Sequence, residues 1–133
     1  MTMTELKGEN QLQKFRRVAD RLVSKIVACE GVDGVVLIGG VVRGLVDRFS
    51  DLDIIVFLER RNAQLRRRIY DLASVQERRS HVEVDLEVHS LRDFRRWRWS
   101  EAERFEFSKA KIVFDPKAEV AHLFADKLRL PKE

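Results

Sequence analysis

Residues 35–58 read VVLIGGVVRGLVDRFSDLDIIVFL. Val35, Val36, Leu37 and Ile38 form a short apolar run that stops at Gly39-Gly40. Ile54, Ile55, Val56, Phe57 and Leu58 form a second run, β-branched and aromatic, long enough for a buried strand and short for a helix. The stretch therefore predicts a strand, a tight Gly-Gly turn, a short helical or coiled segment, and a second strand. Asp51 and Asp53 stand at the mouth of that second strand, two residues apart, so both project from one face. Adjacent carboxylates repel unless a cation lies between them. Hard oxygen donors with few other protein ligands suit Mg²⁺, which keeps waters and substrate phosphates in its shell. Asp51 alone is explained by a turn or cap ahead of a strand. Asp53, inside the strand and before a wholly apolar run, is not, and a paired-metal reading accounts for both. Gly39 and Gly40 permit a close backbone approach and can offer amide donors to a phosphate. An ordinary tight turn is the alternative, and the downstream aspartates favour the phosphate. Arg43 is left between neutralising a phosphate and pairing with Asp47.

Gly39-Gly40, ten residues, then Asp51-Leu52-Asp53 resembles the signature of the DNA polymerase beta-like nucleotidyltransferase superfamily. That signature is an apolar residue, Gly, then Gly or Ser, a gap of similar length, and Asp-x-Asp or Asp-x-Glu between apolar positions. Arg43-Gly44 and Ser50 match the Arg-Gly … Ser-Asp-x-Asp form of its small bacterial and archaeal members. The resemblance implies an NTP substrate held by Gly39, Gly40, Arg43 and Ser50, and two Mg²⁺ ions held by Asp51, Asp53 and a third carboxylate. Many members carry Ser where this chain has Gly40, which removes a hydroxyl contact to the triphosphate but keeps the backbone ones. The third carboxylate of the superfamily sits on a later strand between apolar residues. Asp85 resembles it best, with Glu87 on the same face as the alternative. Larger relatives continue into a helical domain that holds the second substrate. The present sequence stops soon after Leu130-Pro131, as a minimal form that borrows the rest from a partner or as a fragment.

The remaining sequence is consistent with one domain over residues 1–133. Charged residues make up 36% and hydrophobic ones 44%, which places the chain among globular rather than disordered sequences. Net charge is +4, compatible with a polyanionic ligand such as a nucleoside triphosphate or RNA. Cys29 is alone, which excludes a disulfide framework and a cysteine-based metal site. The N-terminal MTMTELKGENQLQ has no apolar signal region and no run approaches membrane-spanning length, so the cytoplasm is the default compartment and no membrane is expected.

Residues 10–29 predict an amphipathic helix with Leu12, Phe15, Val18, Leu22, Ile26 and Val27 on one face and Asn10 as candidate cap. Gly31 and Gly34 turn the chain into the first strand. Residues 59–80 carry a helical stripe of Leu65, Ile69, Leu72, Ala73 and Val75 among seven arginines and three acids, a local balance of +4 (7 − 3). A solvated helix face is preferred there over a surface that steers nucleic acid. HVEVDLEVH, residues 81–89, alternates without a break and predicts a third strand, Val82, Val84, Leu86 and Val88 on one face and Glu83, Asp85 and Glu87 on the other. Ser90 with Asp93 starts a helical, aromatic and arginine-rich segment, read as core closure or interface ahead of base stacking. KIVFD, residues 111–115, predicts a short strand, and Pro116 the first position of a last helix capped by Asp115.

These readings converge on an α/β (α+β) domain with a mixed sheet of four to five strands and helices mainly on one face. The function they imply is Mg²⁺-dependent transfer of a nucleoside monophosphate, with ATP as donor, to a hydroxyl of a small molecule, a protein or an RNA. The resemblance adds a helical partner protein or a second copy of the chain, including a toxin–antitoxin arrangement. The alternative is a non-catalytic module on the same fold that binds RNA or protein through its arginines.

Overall fold

The computed structural model describes residues 10–129. The first nine residues of the stretch read as lacking a signal region, and the end of the chain at Leu130-Pro131, lie outside them. The first helix, α1 (Leu12–Val27), buries Phe15, Val18, Ala19, Leu22 and Ile26, the three- and four-residue spacing of one helical face. Asn10 anchors its start. Its Oδ1 accepts from the Leu12 and Val46 amides, both at 3.2 Å, and its Nδ2 donates to the Gly44 carbonyl at 3.3 Å. The N-cap itself is Gln11, one residue later than expected, and Asn10 instead fastens the start of the helix to the loop that follows the Gly-Gly turn.

Four strands form one mixed sheet in the order β3-β2-β1-β4. They are β1 (Val32–Ile38), β2 (Leu52–Leu58), β3 (Val84–Ser90) and β4 (Lys111–Phe114). β1 runs antiparallel to both β2 and β4, whereas β2 and β3 are parallel. A parallel pair needs a long crossover. The helix α3 (Ala63–Ser80) supplies it, capped by Asn62, whose side chain accepts from the Leu65 amide at 3.0 Å. The short α2 (Gly40–Arg43) follows β1 directly. β1 begins at Val32, earlier than expected, because Gly34 belongs to the strand. A Cβ there would overlap the Val120 side chain.

β2 is apolar at every position after Asp53, and a strand of that kind needs cover on both faces. The expectation of helices mainly on one face holds for the two long ones. α1 and α3 pack on Val35, Leu37, Ile54, Val56, Leu58, Leu86 and Val88. Three shorter helices, α4 (Leu91–Arg96), α5 (Glu101–Ser108) and α6 (Glu119–Leu128), cover the other face around Val36, Ile55 and Phe57. The segment read as one aromatic block is therefore two helices. Ser90 caps α4 through the Asp93 amide, and Ser100 with Glu103 forms a full capping box on α5. The last helix begins at Glu119 rather than at Pro116. Asp115 still serves it, accepting from the Val120 and Ala121 amides at 3.0 and 2.9 Å. Among the described residues no helix is long and apolar enough to cross a membrane.

Phe94, Trp99 and Phe107 close the core as expected, whereas Trp97 and Phe105 of the same segment are exposed. Phe94 is fully buried, its ring 4.9 Å from Phe57 and within 6.3 Å of Trp99, Phe107 and Phe124. Because Phe94 joins all these rings, Phe94→Ala is expected to destabilise the protein by about 3–5 kcal/mol. The check is the urea midpoint at unchanged m-value.

Candidate active site

β2 and β3 place the central carboxylates by register. Asp53 pairs with Asp85 across the parallel ladder and with Ile38 across the antiparallel one. Asp53 shares its face with Ile55 and Phe57, so it points into the layer of α4, α5 and α6. The two carboxyls are hydrogen-bonded to each other. A hydrogen bond between carboxyls requires a proton on one of them. The pKa of Asp53 is pushed up to about 7, first by burial, then by the charge and hydrogen bond of Asp85, then by the charges of Asp51 and Glu106.

The other predicted site residues fall around this pair. Asp51 is exposed, ahead of β2, and its carboxyl bonds to Glu83, which raises the Glu83 pKa by that bond first and by the Asp51 charge second. Glu87 lies opposite Ile55, and its carboxylate meets His89 Nε2 at 2.9 Å. That bond holds Glu87 below the usual carboxylate range. Asp85 is thus the member of the acidic strand that faces Asp53, and Glu87 is engaged elsewhere.

Gly39 ties the glycine motif to the carboxylates. Its φ is 78°, a region that disfavours any side chain, and a Cβ would overlap Asp53 Oδ2. A Cβ on Gly40 would stand 2.6 Å from the Leu45 carbonyl oxygen, so a serine there would require the loop to shift. The Gly39 carbonyl accepts from the Val42 and Arg43 amides, both at 3.1 Å, and the Gly40 carbonyl from the Gly44 amide at 2.8 Å. Ser50 closes the loop into β2: its Oγ accepts from the Asp47 amide at 3.0 Å and donates to Asp47 Oδ1 at 3.2 Å. Arg43, half exposed, reaches Glu106 of α5 at 3.6 Å. Glu106 also adds its charge at Asp53, a neighbour that no spacing in the sequence announces.

Among the described residues, no three or more His, Cys, Asp or Glu side chains converge closely enough to enclose a metal ion. Asp53 and Asp85 are brought together, while Asp51 turns toward Glu83. The donor set fits a hard divalent cation. It consists of oxygen ligands, and the raised pKa of Asp53 marks excess negative charge that a cation would relieve.

The same charge sets a pH dependence. Asp53 binds its proton more tightly in the folded state, near 7, than at the ordinary 3.8 of an unfolded aspartate. Stability therefore falls as pH rises through that window. In a chelator, the melting temperature should decline from about pH 4 to about pH 7 and level off above it, and Asp53→Asn should flatten the decline. Added Mg²⁺ at the upper pH should raise the melting temperature of the wild type and leave the variant unchanged.

The nucleotidyltransferase domain model matches residues 12–117. No curated protein matches the sequence. Several solved structures are similar. A chain of a toxin–antitoxin with AMP-PNP is 18% identical, with 82% of this chain and 83% of that one aligned at a TM-score of 0.58. A chain of a tri-AMPylated Shewanella oneidensis HEPN toxin in complex with MNT antitoxin is 16% identical over 88% and 83%, at 0.53. A chain of the toxin–antitoxin MntA-HepT is 16% identical over 89% and 84%, at 0.52. At these identities the structures establish the likeness of fold, and the family match spans most of the residues, motif and carboxylate strands included. The chain belongs to the nucleotidyltransferase domain family.

Proposed function

We propose that the chain transfers a nucleoside monophosphate from an NTP, with ATP as donor, to a hydroxyl on a partner protein. The observation that carries the reading is the Asp53–Asp85 pair, set side by side by strand register with Gly39 packed against it. Similar folds occur in complexes that contain AMP-PNP or an AMPylated toxin, which supports ATP and a protein acceptor.

In the reaction, the acceptor oxygen forms a bond to the α-phosphorus, the bond to the bridging oxygen breaks, and pyrophosphate leaves. Asp85, exposed at the rim, takes the proton of the acceptor hydroxyl. Gly39 and Gly40 keep the floor free of side chains, so the triphosphate can approach the backbone. Arg43 exchanges Glu106 for a phosphate oxygen; its present ion pair is exposed and weak enough to give way. Ser50 holds the loop that aims Asp51 and Asp53. Asp51, Asp53 and Asp85 would hold the two Mg²⁺ ions, whose chemistry is to neutralise charge on the phosphates and leaving group.

Binding of each of the four NTPs, with and without Mg²⁺, is measurable by calorimetry on the purified chain. Mg²⁺-dependent binding of ATP that Asp51→Asn/Asp53→Asn abolishes is the expected result. Asp53→Asn should also lower transfer from α-labelled ATP to a co-purified partner by about a hundredfold or more. A wild type that binds no NTP under any of these conditions would sink the proposal.

A further inference from the structure

β2 and β3 are parallel, so both begin at the carboxylate end of the sheet and both finish at the opposite end. From Asp53 to Leu58 is about 17 Å along the strand. At that far end each strand runs straight into arginines, Arg60 and Arg61 after β2, Arg92, Arg95 and Arg96 after β3. These are the ends of two segments that are far apart in sequence, the arginine run and the aromatic block. The fold joins them through Arg61 and Asp93, 32 residues apart, whose side chains form a two-pronged hydrogen bond at 2.7 and 2.8 Å.

That fork uses the charge of Asp93, whose pKa is pulled down to about 2 by Arg61, by the Ser90 hydroxyl and by the nearby charge of Arg96. Arg60, Arg92 and Arg96 line a cavity of about 510 Å³, with Glu59 as its other acid. Among the described residues these three arginines form no ion pair. An adjoining cavity of about 250 Å³ has Leu58 and Val88 in its wall, with His89 and Arg66 beside them. Trp97, 39% exposed, stands against His89 at 5.5 Å between ring centres.

Guanidinium groups outside any salt bridge suit phosphate oxygens, which accept two parallel N–H bonds. The indole of Trp97, which follows Arg96 in the chain and packs on His89 of the adjoining cavity, offers an exposed face on which a base stacks. An acidic polypeptide would use the arginines but not the indole. We infer that the cleft at the C-terminal ends of β2 and β3, walled by Arg60, Arg92 and Arg96, is a second, non-catalytic site that binds the sugar–phosphate backbone of single-stranded RNA.

Fluorescence anisotropy of a labelled oligouridylate with the full chain, without NTP or Mg²⁺, tests it from about 50 to 200 mM salt. Affinity should fall linearly with salt on a double-logarithmic plot. Arg92→Ala/Arg96→Ala should weaken binding by about tenfold and flatten the slope by about 1.4, the loss of two phosphate contacts. Arg67→Ala/Arg68→Ala removes the same charge from an exposed part of α3 that lines neither cavity, and should change affinity by less than about twofold. Asp53→Asn should bind RNA as the wild type does. All four arginines are exposed, and circular dichroism verifies that each variant is folded. The proposal is overturned if RNA does not bind at the lowest salt, if the two arginine pairs lose affinity equally, or if polyglutamate displaces the RNA at matching charge concentration.

Discussion

The parallel register of β2 on β3 is the constraint on which the site depends. It sets Asp53 directly opposite Asp85, and it does so only because α3 carries the chain back to the starting edge of the sheet. Two carboxyls at one level of a ladder repel, and burial of Asp53 deepens the cost. That cost shows as a raised pKa at Asp53, which binds a proton more readily than an ordinary aspartate. The same arrangement is what a divalent cation with phosphate ligands would stabilise. Stability and chemistry are therefore opposed at this point of the fold, and the remainder of the molecule has to hold the strands in place against the repulsion.

Two layers do so. The α1 and α3 layer packs a continuous aliphatic surface against one face of the sheet. The other layer is aromatic, with Phe57, Phe94, Trp99, Phe107 and Phe124 in mutual edge-to-face or tilted contact. Asp53 lies on the aromatic side, next to α5. The helices that close this core thus also decide what surrounds the carboxylates, and Glu106 and its ion pair with Arg43 come from there. The glycines act at the same boundary. Gly39 has a backbone conformation and a clearance that no other residue satisfies beside Asp53.

Charge is distributed along the strand axis for the same topological reason. Since β2 and β3 share one direction, their acidic beginnings lie together and so do their arginine-bearing ends. An antiparallel pairing of the same two strands would have interleaved the signs. A chain of modest overall charge thereby presents an acidic end and a basic end, and a phosphate-bearing ligand meets very different potentials at each.

Local pattern was enough for much of this. The apolar runs, the Gly-Gly turn and the alternation of residues 81–89 specify strands through side-chain period, and Asp53 is conspicuous because a charge interrupts a buried run. Asn10 and Ser90 were legible as punctuation because capping is a contact over a few residues, whereas the Asn62 cap emerged only in the structure. The sequence by itself therefore determined the strands, the two long helices, the family resemblance and the acidic motif, but not the division of the aromatic segment into α4 and α5. It left Asp85 and Glu87 undecided, since both lie on one face of one strand, and only the register against β2 distinguishes them. It was equally silent on Glu106 beside Arg43, on the turn of Asp51 toward Glu83, and on the meeting of Arg61 with Asp93. Those are contacts between segments distant in the chain. Periodicity carries no information about which strand lies beside which or in what direction, so they were decided by tertiary structure alone.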